Sequence, residues 1–171
     1  TSTNNYFQQN DDTEPATKQA LALAEFKAMV EQLQQKGVKV MVVKDTVMPH
    51  TPDSVFPNNW ISFHAGRRVA LYPMYAKNRR LERRIDILLT IENETGTTYK
   101  VVDYSYFESR NRYLEGTGSM ILDRTNKIAY ASLSERTDKA LFLQFCSDFG
   151  YSSIYFTANQ RVGSNRIPVY H

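Results

Sequence analysis

One order of elements recurs in this chain at an offset of about 60 residues. It constrains the fold more tightly than composition does. Trp60–Phe63 and Val69–Tyr72 read as short strands joined around Ala65-Gly66-Arg67-Arg68, a hairpin by spacing. Asn78–Glu92 follows as an amphipathic helix with Leu81, Ile85 and Leu88 on its stripe, and Tyr99–Asp103 as a strand. The same order then returns. Ser119–Asp123 and Lys127–Ala131 form a hairpin around Arg124-Thr125-Asn126, Asp138–Phe149 a helix with Leu141, Phe145 and Phe149 inward, and Tyr151–Phe156 a strand. Overlaying the copies puts Phe63 on Leu122, Val69 on Ile128 and Ala70 on Ala129. The unit is strand–strand–helix–strand, and it rests on element order more than on matching letters.

The ends of the chain fit inside the same period. Ala16–Lys36 reads as a helix with Leu23, Phe26, Val30 and Leu33 at helical spacing, stopped by Gly37. Val38–Val43 is a β-branched strand after it. Residues 1–44 are thus the back part of one unit, 54–104 a second, 114–157 a third, and 166–171, with a strand from Arg166 to Tyr170, the start of a fourth. Units that bury their faces against neighbours need several copies with closure or caps. The expectation is a part of a larger protein, and a polar opening from Thr1 to Glu14 without a start methionine agrees with it.

Two loops carry the chemistry. Thr51–Trp60 places Asp53, Asn58 and Asn59 beside Phe56 and Trp60, the make-up of a pocket rim with apolar walls and a few orienting polar groups. An ordinary turn with Asx caps has the same composition. Leu114-Glu115-Gly116-Thr117-Gly118 stands at the corresponding place before the second hairpin. Its glycines let backbone approach a ligand closely. Two repeats thereby bring polar groups to matching positions near a common axis.

Further motifs join these: Phe7-Gln8, Pro52–Trp60, Leu114–Met120, Leu122-Asp123-Arg124, Ser134-Glu135-Arg136-Thr137 and Val169-Tyr170-His171. Together they resemble the guanidino-group-modifying superfamily, nearest its arginine-deiminase-related, amidinotransferase-like branch, which includes citrulline hydrolases. Dimethylarginine dimethylaminohydrolase is a more distant relative in this reading. The resemblance implies an α/β fold, the pentein α/β-propeller of five ββαβ units, of which this chain would hold about half. It also implies a cysteine thiolate attacking the guanidino carbon, a covalent intermediate, and a histidine as acid and base.

Residue by residue, the resemblance assigns Glu115 to the guanidinium or ureido nitrogens and His171 to the acid/base role. Asp53 matches an aspartate of the substrate pocket. Arg136 matches an arginine that holds the substrate's α-carboxylate, with Arg79 or Arg80 as a second contact. Where arginine and dimethylarginine hydrolases carry an aspartate toward the cationic guanidinium, this chain has Asn59. Asparagine is neutral and offers an acceptor and two donors, as a ureido group requires. A citrulline-type substrate is favoured on that ground, with amidines and succinylated arginine still open. Hydrolase and amidinotransferase are not separated by sequence.

The nucleophile is expected outside these residues. Cys146, the one cysteine, lies on the third helix beside Phe142, Phe145 and Phe149 and reads as a buried, inert thiol. The chain alone is then inactive, and a non-catalytic pentein-fold ligand-binding protein is the alternative. A lone cysteine fits a reducing compartment, hence a cytoplasmic expectation. His50 and His64 are not spaced as a metal pair, so neither metal nor cofactor is expected. The expected partner is a small-molecule substrate, a citrulline or arginine derivative, with homo-oligomerisation left open. A net charge of +3, with acids and bases interspersed, gives no signal for nucleic acid, and no apolar run approaches a membrane span. The run Tyr104–Phe107 with Arg110 and Arg112 has the composition of a nucleic-acid surface, but reads better as a packed connection leading to Glu115. Arg79-Arg80 and Arg83-Arg84 read as a solvated helix face apart from the carboxylate contact.

Overall fold

The computed structural model describes residues 14–51, 53, 54 and 57–169. They fall into two units divided after Thr46. In the first, α1 (Pro15–Gln35) begins with proline at its first turn, and the Glu14 carboxylate accepts from the Thr17 amide at 3.1 Å. Val30 is buried, whereas Leu23, Phe26 and Leu33 stay exposed. The strand expected over Val38–Val43 does not form. A β-branched run becomes a strand only where a neighbour supplies a ladder, and no described segment pairs with it.

The second unit contains the repeat. β1 (Ile61–His64) and β2 (Arg68–Leu71) pair antiparallel, and β3 (Lys100–Asp103) lies parallel to β2 after the crossover helix α2 (Ile85–Thr95). A one-turn helix α3 (Gly116–Ser119) leads into β4 (Met120–Asp123), antiparallel to β5 (Ile128–Ser132). After α4 (Lys139–Phe149), β6 (Ser152–Phe156) runs parallel to β5. Two three-stranded sheets of one topology result. The register corrects the overlay of the copies. Three residues separate His64 from Arg68, but four separate Asp123 from Ile128. The offset therefore grows by one residue across the second turn, and Val69 corresponds to Ala129 rather than Ile128.

Strand alternation decides what each face of the first sheet meets. Val69 and Leu71 point into a core with Trp60, Met74 and Leu88 of α2. Ala70 and Tyr72 point the other way, into a larger core with Met120, Ala129 and Ala131 of the second sheet and Leu141, Phe142, Phe145 and Phe149 of α4. Each α4 side chain of this size contributes roughly 1.5–3 kcal/mol on burial. The helix is held at its start by the Asp138 carboxylate, which accepts from the Leu141 amide at 2.8 Å. His64 ends β1 against the ring of Phe149, centroids 4.2 Å apart. Its Nε2 meets Ser62 Oγ at 2.6 Å, and its Nδ1 is buried without a hydrogen-bond partner.

Three local expectations change. The helix expected over Asn78–Glu92 is broken. A 3-10 turn covers Lys77–Glu82, Arg83 is extended, and α2 starts only at Ile85. The arginines explain the break. Arg79 is buried against Glu82 and Arg83 is paired with Glu108, so this is not a solvated face. At the C-terminal end, β8 (Asn165–Pro168) pairs antiparallel with β7 (Asn159–Val162), so the strand expected from Arg166 belongs to a hairpin; its expected end, Tyr170, lies outside the described residues. Tyr104 and Phe107 are buried while Arg110 and Arg112 are exposed, as a packed connection requires. Among the described residues, no helix is long and apolar enough to cross a membrane.

Candidate functional site

The loops that lead into β1 and β4 meet each other. Pro57–Asn59 forms a 3-10 turn before β1, and α3 occupies the matching place before β4. Asn58 Nδ2 donates to Thr117 Oγ1 at 2.6 Å, and the Thr117 hydroxyl reaches Asn58 O at 3.4 Å. These residues are 59 positions apart, the offset of the first strands of the repeat, so equivalent positions of two units face one another across the junction. Such close approach depends on glycine. A Cβ on Gly116, where φ is +47°, would lie 2.5 Å from Asn58 O, and one on Gly118 would lie 2.6 Å from Asn59 Nδ2.

Glu115 is fully buried at the head of α3. Its Oε1 accepts from the Tyr75 amide at 2.8 Å. Its Oε2 accepts from Asn59 Nδ2 at 3.2 Å and from Arg136 Nη1 at 3.4 Å. An ionised carboxylate only accepts, so it fixes the Asn59 amide with nitrogen toward itself and leaves Oδ1 as an acceptor elsewhere. Ser119 ties the assembly together: its Oγ accepts from the Glu115 amide at 2.8 Å and donates to Arg136 O at 2.9 Å. Three of the sequence-derived site residues, Glu115, Asn59 and Arg136, are thus in direct contact.

Asp53 and Arg79 form an adjoining buried group. Arg79 Nη2 lies 3.5 Å from the carbonyl oxygen of Asp53. The Arg79 guanidinium is forked onto Glu82, Nε to Oε1 at 3.0 Å and Nη2 to Oε2 at 2.9 Å. Burial pushes the Glu82 carboxyl above its usual range; Arg79 opposes this, and the charges of Asp53 and Glu115 add to it. The expected contact of Arg79 with a substrate carboxylate therefore competes with an internal one. Arg80 turns instead to the backbone, donating to Met74 O at 2.9 Å. Phe56 and His171 lie outside the described residues.

Sequence reasoning missed the Tyr75 amide, because backbone donors leave no signature in side-chain identity. It also missed Glu82, although Arg79 and Glu82 stand at the i, i+3 spacing of an ion pair. Cys146 is buried in the larger core, and burial pushes its thiol up to about 11. Among the described residues, no three His, Cys, Asp or Glu side chains gather as a metal would need.

Comparison with known proteins bears on the family and the fold. The family model described as N,N dimethylarginine dimethylhydrolase, eukaryotic, matches residues 1–171. No curated protein matches the chain. Among solved structures, dimethylarginine dimethylaminohydrolase from Pseudomonas aeruginosa, a cysteine-to-serine mutant complexed with citrulline, is 21% identical with a TM-score of 0.59, covering 84% of this chain and 52% of that one. The N-terminal domain of ArgZ, a cyanobacterial arginine dihydrolase of the ornithine–ammonia cycle, bound to substrate, is 21% identical with a TM-score of 0.57, covering 77% and 44%. SxtG, an amidinotransferase of saxitoxin biosynthesis from Microseira wollei, is 16% identical with a TM-score of 0.61, covering 86% and 51%. Identities this low establish a shared fold alone. The chain spans about half the length of these structures.

Proposed function

The chain belongs to the eukaryotic N,N-dimethylarginine dimethylhydrolase family, within the guanidino-modifying pentein superfamily, and from that premise we propose that it forms part of a cysteine-dependent hydrolase or amidinotransferase acting on a ureido or guanidino C–N bond. The family is the one that the sequence reading placed further off than the amidinotransferase-like branch. The two ββαβ sheets are two blades of a five-unit propeller, about half of the ring, and their meeting loops lie at its axis.

One observation carries the choice of substrate: the Glu115 carboxylate touches neutral Asn59 on one side and cationic Arg136 on the other. The hydrogen-bond partners of Glu115 are thus an amide side chain, a backbone amide and a guanidinium, and the arginine offsets its charge, while the carboxylates of Asp53 and Glu82 belong to the adjoining group around Arg79. A cationic guanidinium gains little there, whereas a neutral ureido group meets acceptors for its N–H bonds in Glu115 and in Asn59 Oδ1. Citrulline or a close derivative is the substrate that fits. Arg136, kept on Glu115, and Arg79, beside Asp53, are assigned to the substrate's α-carboxylate, and Phe56 to an apolar wall. His171 supplies acid and base. The thiolate comes from outside these residues, because Cys146 is buried in apolar surroundings and keeps its proton. Thiolate addition to the ureido carbon expels ammonia, and water then releases ornithine and carbon dioxide.

The same buried thiol supports a second reading, a ligand-binding protein without a nucleophile. The test is to incubate the natural full-length protein with citrulline, arginine and dimethylarginine and assay ornithine, citrulline, ammonia and dimethylamine. Ornithine from citrulline supports the first reading. Saturable binding without turnover supports the second. Absence of both overturns the two together.

A further inference from the structure

Resting on the reading that Glu115 holds the substrate's nitrogens, we infer that Glu108 is a positioning residue for Glu115, acting through the peptide that joins Met74 to Tyr75. Glu108 stands on the 3-10 turn Ser105–Arg110, with its side chain 13% exposed. Its Oε1 accepts from the Met74 amide at 2.7 Å and from Arg83 Nη1, and its Oε2 accepts from Arg83 Nη2 at 3.0 Å. Arg80 Nε lies 3.5 Å from the same Oε2 and donates to Met74 O at 2.9 Å.

The carbonyl of Met74 and the amide of Tyr75 belong to one rigid plane. Glu108 holds Met74 from both sides, its amide directly and its carbonyl oxygen through Arg80, and so aims the Tyr75 N–H, which donates to Glu115 Oε1 at 2.8 Å. Once Oε1 is fixed, Oε2 is turned to Asn59 and Arg136. A carboxylate on the β3–α3 connection is thus coupled to one in the site with no direct contact between them. The ion pairs also explain why a helix does not run from Asn78. Arg80 and Arg83 must both reach inward to Glu108, and the chain straightens at Arg83 to let them.

The experiment uses the full-length protein with Glu108→Ala and Glu108→Gln, the second keeping an acceptor for the Met74 amide. Two readouts are taken, NMR hydrogen exchange and steady-state kinetics below the melting transition of every variant. Loss of a hydrogen bond that is worth about a factor of ten should raise Tyr75 amide exchange about 10-fold in Glu108→Ala, with β4–β6 ladder amides unchanged and Glu108→Gln restoring most of the protection. On the same principle kcat/KM for the preferred substrate should fall about 10-fold in Glu108→Ala and recover to within about 3-fold in Glu108→Gln. Unchanged Tyr75 exchange, or a uniform rise across β4–β6, would overturn the positioning role. So would an exposed Tyr75 amide with undiminished kcat/KM. If the wild-type protein turns over no ureido or guanidino compound, the functional reading fails, and the exchange data still decide whether Glu108 holds this peptide.

Discussion

Asn59→Asp tests the electrostatic logic of the site at its tightest point. Asn59 Nδ2 lies 3.2 Å from Glu115 Oε2, and both side chains are buried. Replacing the amide by a carboxylate sets two like charges at that distance. With an effective dielectric constant near 20 their repulsion is about 5 kcal/mol. Arg136, 3.4 Å from the same oxygen, offsets part of this and leaves roughly 3 kcal/mol. The folded protein avoids the repulsion by keeping one proton on the pair, so a carboxyl is held above its unfolded value near 4. The sign follows. Below the unfolded value both states are protonated and the variant loses little; as pH rises toward 8 the unfolded chain releases a proton that the folded one must keep or give up against repulsion. Thermal and urea unfolding should show a deficit under about 1 kcal/mol at pH 4 and about 3 kcal/mol at pH 8. A cationic ligand relieves the pair, so arginine should stabilise the variant at pH 8 more than citrulline does. In the full-length protein the arginine-to-citrulline ratio of kcat/KM should rise about 100-fold, equivalent to about 2.7 kcal/mol. Wild-type stability at pH 8 together with an unchanged substrate ratio would refute the reasoning.

Three further outcomes follow from other contacts. Gly118→Ala puts a Cβ 2.6 Å from Asn59 Nδ2, and should cost about 1–3 kcal/mol in urea unfolding while displacing the amide from Glu115 and lowering kcat/KM. The His64 imidazole is held down to about 4, chiefly by burial and then by Arg124, Arg68 and Lys127. Its contribution is therefore complete above pH 6.5 and is lost as pH falls toward 4, by about 1–2 kcal/mol after allowance for solvent reaching the half-buried ring, and His64→Gln should flatten this slope in pH-dependent melting. Cys146, pushed up to about 11 by burial, should resist iodoacetamide at pH 8 in the native protein and react on unfolding; rapid native labelling would contradict the inert-thiol assignment.

The repeat was legible because strand alternation and helical spacing are written in apolar positions, and burial of Val69, Leu71, Phe142 and Phe145 follows that pattern. The meeting of Asn58 and Asn59 with the Glu115–Gly118 loop was also legible, since equivalent loops of neighbouring units converge. What the sequence concealed depends on partners. Val38–Val43 has strand composition but no neighbouring ladder. Arg83 looks like a helix surface residue until Glu108, 25 positions later, draws it inward. The hairpin of β7 and β8 was hidden by a polar strand, Asn159–Val162, although Gly163-Ser164 marked its turn. The extra residue in the second hairpin turn could not be placed without the register.

The substrate assignment stands or falls on whether the Asn59–Glu115 pair receives a neutral ureido group. The most direct measurement is a titration of full-length protein, labelled with 15N at asparagine, with citrulline and separately with arginine, following the Asn59 side-chain amide. A saturable shift of that amide is expected with citrulline at concentrations where arginine produces a much weaker one. An Asn59 amide that stays fixed while citrulline binds, or that responds more strongly to arginine, would contradict it.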